Sequence, residues 1–299
     1  MGRVALSAEF YRLVEETGKE LYIRALKDLP PDVRSALAAA LARETSGVAR
    51  QVLGTMLEAV RIADEKRTLI CQDTGIPLFF VRLGSGLGAD PVEIERALVR
   101  GTERATREHP LRSSVCTPLS RVNPQTSTGF RIPVFHWEFT REHDDLEILM
   151  VPKGSGSENM SFLKMLIPAD GIRGVKRFIL ETVLEIGANP CPPYILGVGL
   201  GGTADLCMKL AKLAAVTRPI GSRNPDPEMA ALEEEILTAV NELGIGPMGL
   251  GGITTVLAVH IEHADTHITQ NPVAINVQCW PARRARARLT ADGKVEFGY

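Results

Sequence analysis

The run Tyr194-Ile195-Leu196-Gly197-Val198-Gly199-Leu200-Gly201-Gly202 goes from apolar residues into alternating glycines, and Leu206, Cys207, Leu210, Ala211, Leu213 and Ala214 follow it at helical spacing. Aliphatic residues bounded by glycine predict a strand over 194–198, and the three- and four-residue recurrence predicts a helix over 204–216. A strand that turns directly into a helix is the building step of an α/β fold. Working outward, helices are predicted over 175–186 and 227–243 and strands over 254–259 and 273–277, with an antiparallel portion allowed. Asp292-Gly293 marks a hairpin within 286–297.

Upstream, the chain reads as helical. Ser7 can cap a run that puts Phe10, Leu13, Val14 and Leu21 on one face. Pro30-Pro31 stops that run and opens a second over 32–44, and a third carries Val48, Val52, Met56, Leu57 and Val60. A polar loop, Cys71-Gln72-Asp73-Thr74-Gly75-Ile76-Pro77, leads to a strand over 78–81. A helix follows over 91–108, and strands over 134–139 and 146–151 flank an acidic turn. The fold expected is mixed α/β: a helical N-terminal part packed with a mixed sheet and surrounding helices. Neither a linker nor a repeat divides the chain, so 1–299 is expected to be one domain, with room for two closely packed lobes.

The 299 residues, 44% of them hydrophobic and 23% charged, can bury a substantial core, which excludes fibrous, disordered and disulfide-stapled classes. With 34 Lys+Arg against 36 Asp+Glu the formal charge is -2, giving no basic surface for nucleic acid. Five cysteines are an odd number, the first residues lack a signal-peptide core and no apolar run reaches bilayer length. A soluble, cytoplasmic protein without membrane or nucleic-acid partners is therefore expected.

Three glycine-rich segments invite a ligand. Lys153-Gly154-Ser155-Gly156-Ser157-Glu158-Asn159 is expected between a strand and a helix, where backbone N–H groups and a cation suit an anion, and it lacks the ending of a phosphate-binding Walker loop. Gly197 to Gly202 fits G-x-G-x-x-G, yet position 222 is Ser where a dinucleotide fold needs an acid ending a second strand. An anion-holding or purely structural turn remains. The run Gly244-Ile245-Gly246-Pro247-Met248-Gly249-Leu250-Gly251-Gly252 implies a close backbone approach to another segment or to a ligand. His260, His263 and His267 carry neither zinc-hydrolase spacing and begin in a strand-like run, where residues three apart face opposite ways, so histidines bonded locally at a strand end are the plainer reading.

Among the cysteines, Cys207 sits in an apolar helix and reads as core, and Cys116 is uninformative. Cys71, Cys191 and Cys279 each stand at the edge of a glycine-, proline- or aromatic-flanked turn. They lie too far apart in sequence to form any local metal motif.

Taken in order, Cys71-Gln72-Asp73-Thr74-Gly75, Leu111-Arg112, the Lys153 to Asn159 loop, Asn189-Pro190-Cys191-Pro192-Pro193, Gly197 to Gly202, Arg218 to Arg223, Gly244 to Gly252 and His267 through Cys279-Trp280 resemble the class I, iron-sulfur fumarate hydratases and their tartrate dehydratase relatives. The resemblance is to the α subunit of the two-subunit form and runs over nearly the whole chain. It implies the N-terminal-domain fold of that family and a 4Fe-4S cluster on Cys71, Cys191 and Cys279 whose fourth iron has no protein ligand. It also implies hydro-lyase activity, the reversible hydration of fumarate to (S)-malate in the tricarboxylic acid cycle, with L-tartrate dehydration as the alternative.

By the same match, Asp73 and His267 would be catalytic, and Gln72, Arg112, Lys153, Gly154 and Gly156 would bind the dicarboxylate. An arginine fork suits a carboxylate. Read without the family, Asp73 is a turn-capping aspartate and Arg112 a solvated cation. Single-chain relatives carry a further module with more substrate-binding residues, and this sequence stops at Tyr299. A separate β subunit is therefore expected to complete the site, as a heterotetramer of two α and two β chains. Competing classes are a nucleotide-dependent oxidoreductase built on Gly197, Gly199 and Gly202, and a regulatory or assembly protein with a structural metal.

Overall fold

A computed structural model describes residues 6–299. In chain order the elements are α1 (Ala8–Lys27), α2 (Pro31–Arg43), α3 (Gly47–Lys66), β1 (Ile76–Gly84), α4 (Pro91–Glu108), β2 (Val134–Thr140) and β3 (Leu146–Lys153). There follow α5 (Ser155–Glu158), β4 (Phe162–Leu166), α6 (Gly171–Ile186), β5 (Tyr194–Gly201), α7 (Ala204–Thr217) and α8 (Pro227–Glu242). The chain closes with β6 (Val256–Ala264), β7 (Asn271–Gln278), β8 (Ala285–Leu289) and β9 (Val295–Gly298). This is the mixed α/β class expected, with two mixed sheets.

Local chemistry sets the boundaries. The Ser7 hydroxyl accepts the Phe10 N–H at the start of α1, and Asp90 and Asp226 cap α4 and α8, each followed by proline at the first helical position. At the other end of the chain, the N–H of Thr290 bonds the carbonyl of Lys294 across Asp292-Gly293, closing the expected hairpin of β8 and β9.

The chain divides into two compact units. The first comprises Met1–Pro30, Ala63–Gly154 and Arg283–Tyr299. Its sheet runs β2-β1-β3-β8-β9, with β1 and β2 parallel and the other pairs antiparallel. Phe79, Val81, Ile148, Met150, Ala285 and Ala287 of that sheet join Phe10, Val14, Leu21 and Leu26 of α1 and Ile94, Ala97 and Leu98 of α4 in one apolar core.

The second unit comprises Pro31–Ile62 and Ser155–Ala282. Its sheet runs β4-β7-β5-β6, with β5 parallel to β6 and antiparallel to β7. Strand β5 is buried along nearly its whole length, and Ile179, Val183, Ile236, Val240, Val259, Ile261, Ile275 and Val277 fill the core around it.

Two expectations are corrected. The helix expected after Lys153 is a single turn, α5, so it has no useful helix dipole to offer an anion. After it comes an edge strand, β4, that the sequence did not signal because three of its five residues face solvent. Strand β6 also runs on to Ala264, which places His260, Glu262 and His263 within it.

Candidate active site

The residues expected to form one site fall in both units, and each group is described within its own unit. In the first, the loop from α3 to β1 is pinned at its start by the N–H of Ile70 to the carbonyl of Leu26 and by the ion pair of Arg67 with Asp28. Asp73 Oδ1 accepts the N–H of Gly75 at 2.9 Å, the turn-capping role legible without the family. Gly75 has φ +67°, and a Cβ there would stand 2.7–2.8 Å from the backbone of Pro152 and Lys153. Only glycine lets this loop lie on the end of β3. Nearby, a Cβ on Gly154 would come 3.1 Å from Asp73 Oδ2.

Thr74 is the hub of this group. Its carbonyl accepts the Tyr22 hydroxyl at 3.1 Å, and its own hydroxyl donates to the carbonyl of Arg112. Asp73, Lys153, Gly154 and the backbone of Arg112 are thereby drawn round one loop. Gln72 and Arg112 are exposed, and Arg112 has no side-chain partner among the described residues; Lys153 is buried.

In the second unit, Cys191 has φ 55°, a left-handed backbone rare outside glycine, and its side chain is exposed. Three contacts hold this turn. The N–H of Cys191 bonds the carbonyl of Ala188, the N–H of Met248 bonds the carbonyl of Pro192 at 2.8 Å, and the N–H of Trp280 bonds the carbonyl of Cys191 at 3.3 Å. The last brings the Cys191 turn against the turn that carries Cys279, just past the end of β7. A Cβ on Gly156 would lie 3.5 Å from the carbonyl of Asn189, so Gly156 joins the same group. The close approach expected of 244–252 is to protein: a Cβ on Gly249 would press 2.4 Å from that of Ala188, at the base of the Cys191 turn.

His267 is not brought to these residues. It lies in the turn after β6, where Nδ1 and the Thr269 hydroxyl are 2.9 Å apart and Thr266 and Gln270 both bond the carbonyl of Gly202. That turn belongs to the C-terminal end of β5, whereas Cys191 precedes its N-terminal end and Ile195 pairs with Gln278. At about 3.3 Å per residue, the seven steps of β5 from Tyr194 to Gly201 separate the two ends by about 23 Å.

The other candidates resolve as structure. Cβ atoms on Gly197 and Gly199 would collide with the carbonyls of Ala211 and Cys207 at 2.2 and 2.1 Å. The G-x-G-x-x-G run therefore lets α7 lie directly on β5, the structural alternative. His260 is buried with Nδ1 3.2 Å from the carbonyl of Ala214, while His263 faces Asp226.

None of the five cysteines forms a disulfide. Cys207 is fully buried, burial pushes its thiol up to about 11 and Sγ bonds the carbonyl of Gly199, so it is an inert core group. Cys71 and Cys279 are half-buried and Cys191 is exposed, a donor set whose accessible soft sulfurs suit iron and sulfide. Among the described residues no three His, Cys, Asp or Glu side chains are grouped as a metal site. Two of the three proposed ligands share a unit, and the third, Cys71, belongs to the other.

Sequence reading missed Arg283, which is 1% exposed. In sequence it is one arginine among several in a tail, with nothing to separate it from solvated neighbours.

An iron-sulfur hydro-lyase fold is what the ordered motifs imply, and comparison with known proteins gives the family. Residues 15–288 match the model described as "Fumarate hydratase (Fumerase)", and the chain belongs to that family. It is 45% identical over 278 residues to the "Putative L(+)-tartrate dehydratase subunit alpha" of Methanocaldococcus jannaschii, spanning 92% of this chain and 97% of that one. It is also 36% and 35% identical over 267 residues to the "L(+)-tartrate dehydratase subunit alpha" of Escherichia coli strains UTI89 and K12, spanning 88% of this chain and 86% of each of those. Among the described residues no helix is long and apolar enough to cross a membrane.

Proposed function

We propose that this chain is the α subunit of a hydro-lyase that adds water reversibly to fumarate to give (S)-malate. The match to the fumarate hydratase family over residues 15–288 carries the reading. Cys71, Cys191 and Cys279 would hold a 4Fe-4S cluster. Such a cluster, with one iron free of protein thiolate, supplies Lewis-acid polarisation of a substrate hydroxyl and carboxylate.

The chain's own residues do the rest. Arg112, exposed and unengaged, offers its guanidinium to one carboxylate, and Gln72 orients the substrate beside it. Gly154, where a Cβ would press on Asp73, and Gly156 would each offer a main-chain N–H to the substrate. Lys153 would supply a cation that offsets charge growing on the carboxylate. Asp73, whose Oδ1 accepts the N–H of Gly75, would hold or pass the proton at the carbon next to the carboxylate. His267, at the far end of the sheet of its unit, takes no part in this reading. A separate β subunit completes the clamp, in keeping with the α-subunit names of the relatives, and twofold pairing gives two α and two β chains.

Those same names favour a second reading, dehydration of L(+)-tartrate. The two differ by one substrate hydroxyl. Anaerobic reconstitution of the chain with its β subunit, followed by turnover on malate and on each tartrate isomer, decides between them. Malate turnover is expected to dominate; tartrate turnover well above it establishes the second reading. Failure on both substrates with a full cluster refutes the hydro-lyase assignment.

A further inference from the structure

The turn α5, which contains Gly156, is only four residues long. A first helical turn fixes several backbone torsions for a single hydrogen bond, so α5 does not hold its own place. Bonds at its last residue do. The Glu158 carboxylate accepts Lys212 Nζ of α7 at 2.5 Å and Asn276 Nδ2 of β7 at 3.3 Å, one on each oxygen. The same Asn276 amide donates to the Ser161 hydroxyl at 2.8 Å, and that hydroxyl donates in turn to the carbonyl of Glu158 at 2.7 Å. A closed ring of three residues thus ties α5 to a strand, and an ion pair ties it to a helix.

Both anchors are built into the sheet of the second unit. Asn276 is fully buried opposite Gly197 of β5, three residues before Cys279, and α7 lies on β5 across Gly197 and Gly199. The amide nitrogen of Asn276 serves Glu158 and Ser161, while its Oδ1 has no hydrogen-bond partner among the described residues. An unpaired buried oxygen is costly, and an aliphatic side chain would suit the strand better. The ring explains the amide; the strand does not. The short segment held in this way meets the Cys191 turn. A Cβ on Gly156 would lie 3.5 Å from the carbonyl of Asn189, and Asn189 Nδ2 lies 3.9 Å from Met160 Sδ.

We propose that Glu158 is a positioning residue for substrate binding: its carboxylate, held by β7 and α7, sets where the Gly156 N–H stands against the Cys191 turn, and it touches no substrate itself. This role rests on the dicarboxylate reading above, in which that N–H meets the substrate.

The test separates position from stability. E158A and E158Q are compared with wild type and with E235A, which removes an ion pair of the same kind between α6 and α8, where Glu235 meets Lys176 at 2.6 Å. In the iron-free full chain, amide hydrogen exchange over residues 155–160 is expected to quicken about tenfold in E158A and about threefold in E158Q, and to stay as wild type in E235A. In the enzyme reconstituted with its β subunit, KM for the dicarboxylate that wild type turns over is expected to rise about fivefold in E158A with kcat within about twofold, the pattern of binding lost equally from ground and transition states. E235A is expected to keep the wild-type KM. Exchange over 155–160 as in wild type in E158A, or in E158Q should E158A not fold, overturns the proposal. Faster exchange with an unchanged KM overturns it too, and leaves the dicarboxylate reading standing. If wild type with a full cluster turns over neither malate nor tartrate, the dicarboxylate reading falls and the binding role falls with it.

Discussion

The carbonyl of Cys191 accepts a hydrogen bond from the N–H of Trp280, the residue after Cys279, at 3.3 Å. Two cysteines separated by most of the second unit's sequence are thereby set in adjoining turns. Sequence order alone gives no reason for that pairing. The antiparallel register of β5 and β7 does, because the start of one lies beside the end of the other.

The left-handed backbone of Cys191 makes an unusual prediction. Cys191→Gly relieves a conformation that costs a non-glycine residue about 1 kcal/mol, so the iron-free chain is expected to become more stable by about that amount. Iron bound after anaerobic reconstitution is expected to fall sharply in the same variant. Chemical denaturation and iron analysis check both, and a variant that gains stability and keeps its iron shows that Cys191 is no ligand.

Gly199→Ala tests the structural reading of the G-x-G-x-x-G run. Its Cβ would stand 2.1 Å from the carbonyl of Cys207, so α7 must move off β5. A loss of about 1–3 kcal/mol is expected in urea unfolding, with NAD having no effect on either protein. Stabilisation of the wild type by NAD would restore the nucleotide reading.

Removal of the Arg218 charge is expected to be costly. Arg218 Nη1 lies 2.5 Å from Glu233 Oε1, and the side chains are only 12% and 8% exposed. The carboxylate also accepts the N–H groups of Ile261 and Asn224, fastening α8 to β6. Arg218→Met leaves Glu233 buried without its cation and is expected to lose about 3–5 kcal/mol, whereas the double variant with Glu233→Met should recover much of it. A loss in the double variant equal to the sum of the losses in Arg218→Met and Glu233→Met alone would show that the pair contributes no coupling.

Acid should weaken the contact between α1 and α4 through Glu15. Burial pushes its carboxyl up, but the bonds and charges of Arg100 and Arg104 outweigh this and hold it below the usual glutamate value of 4.5. A carboxylate with a depressed folded pKa stabilises fully above its unfolded pKa and loses that contribution as pH falls through the folded value. With partly exposed arginines the screened contribution is about 0.5–1 kcal/mol. The stability difference between wild type and Glu15→Gln is therefore expected to be constant from pH 7 to about 5 and to shrink below that. A difference independent of pH down to 3 refutes this role.

The long periodic elements were legible: the cap at Ser7, the apolar stripes of α1 and α7 and the Asp292-Gly293 hairpin all declare themselves within a few residues. What was hidden depends on contacts between distant residues. Gly197 and Gly199 leave an anion-holding turn and a purely structural one both open until Ala211 and Cys207 are seen against them. Strand β4 lies at a sheet edge, so its exposed residues carry no alternation. His267 is twelve residues from Cys279 in sequence, but β7 lies between them, and a strand carries its two ends apart. Arg283 is hidden because nothing in the sequence separates a buried arginine from the exposed Arg286 and Arg288 that follow it.

The division into units also bears on how the protein is made. Strand β3 of the first unit pairs with β8, within the last seventeen residues, Arg283–Tyr299. Its sheet therefore stays short of two strands until the segments of the second unit have been made, long after α1 has left the ribosome. The second unit, whose segments end at Ala282, can gather earlier. Along this chain the second unit's main segment lies between two segments of the first, so the apolar face at Phe10, Val14 and Leu21 is covered in full only once β8 has joined.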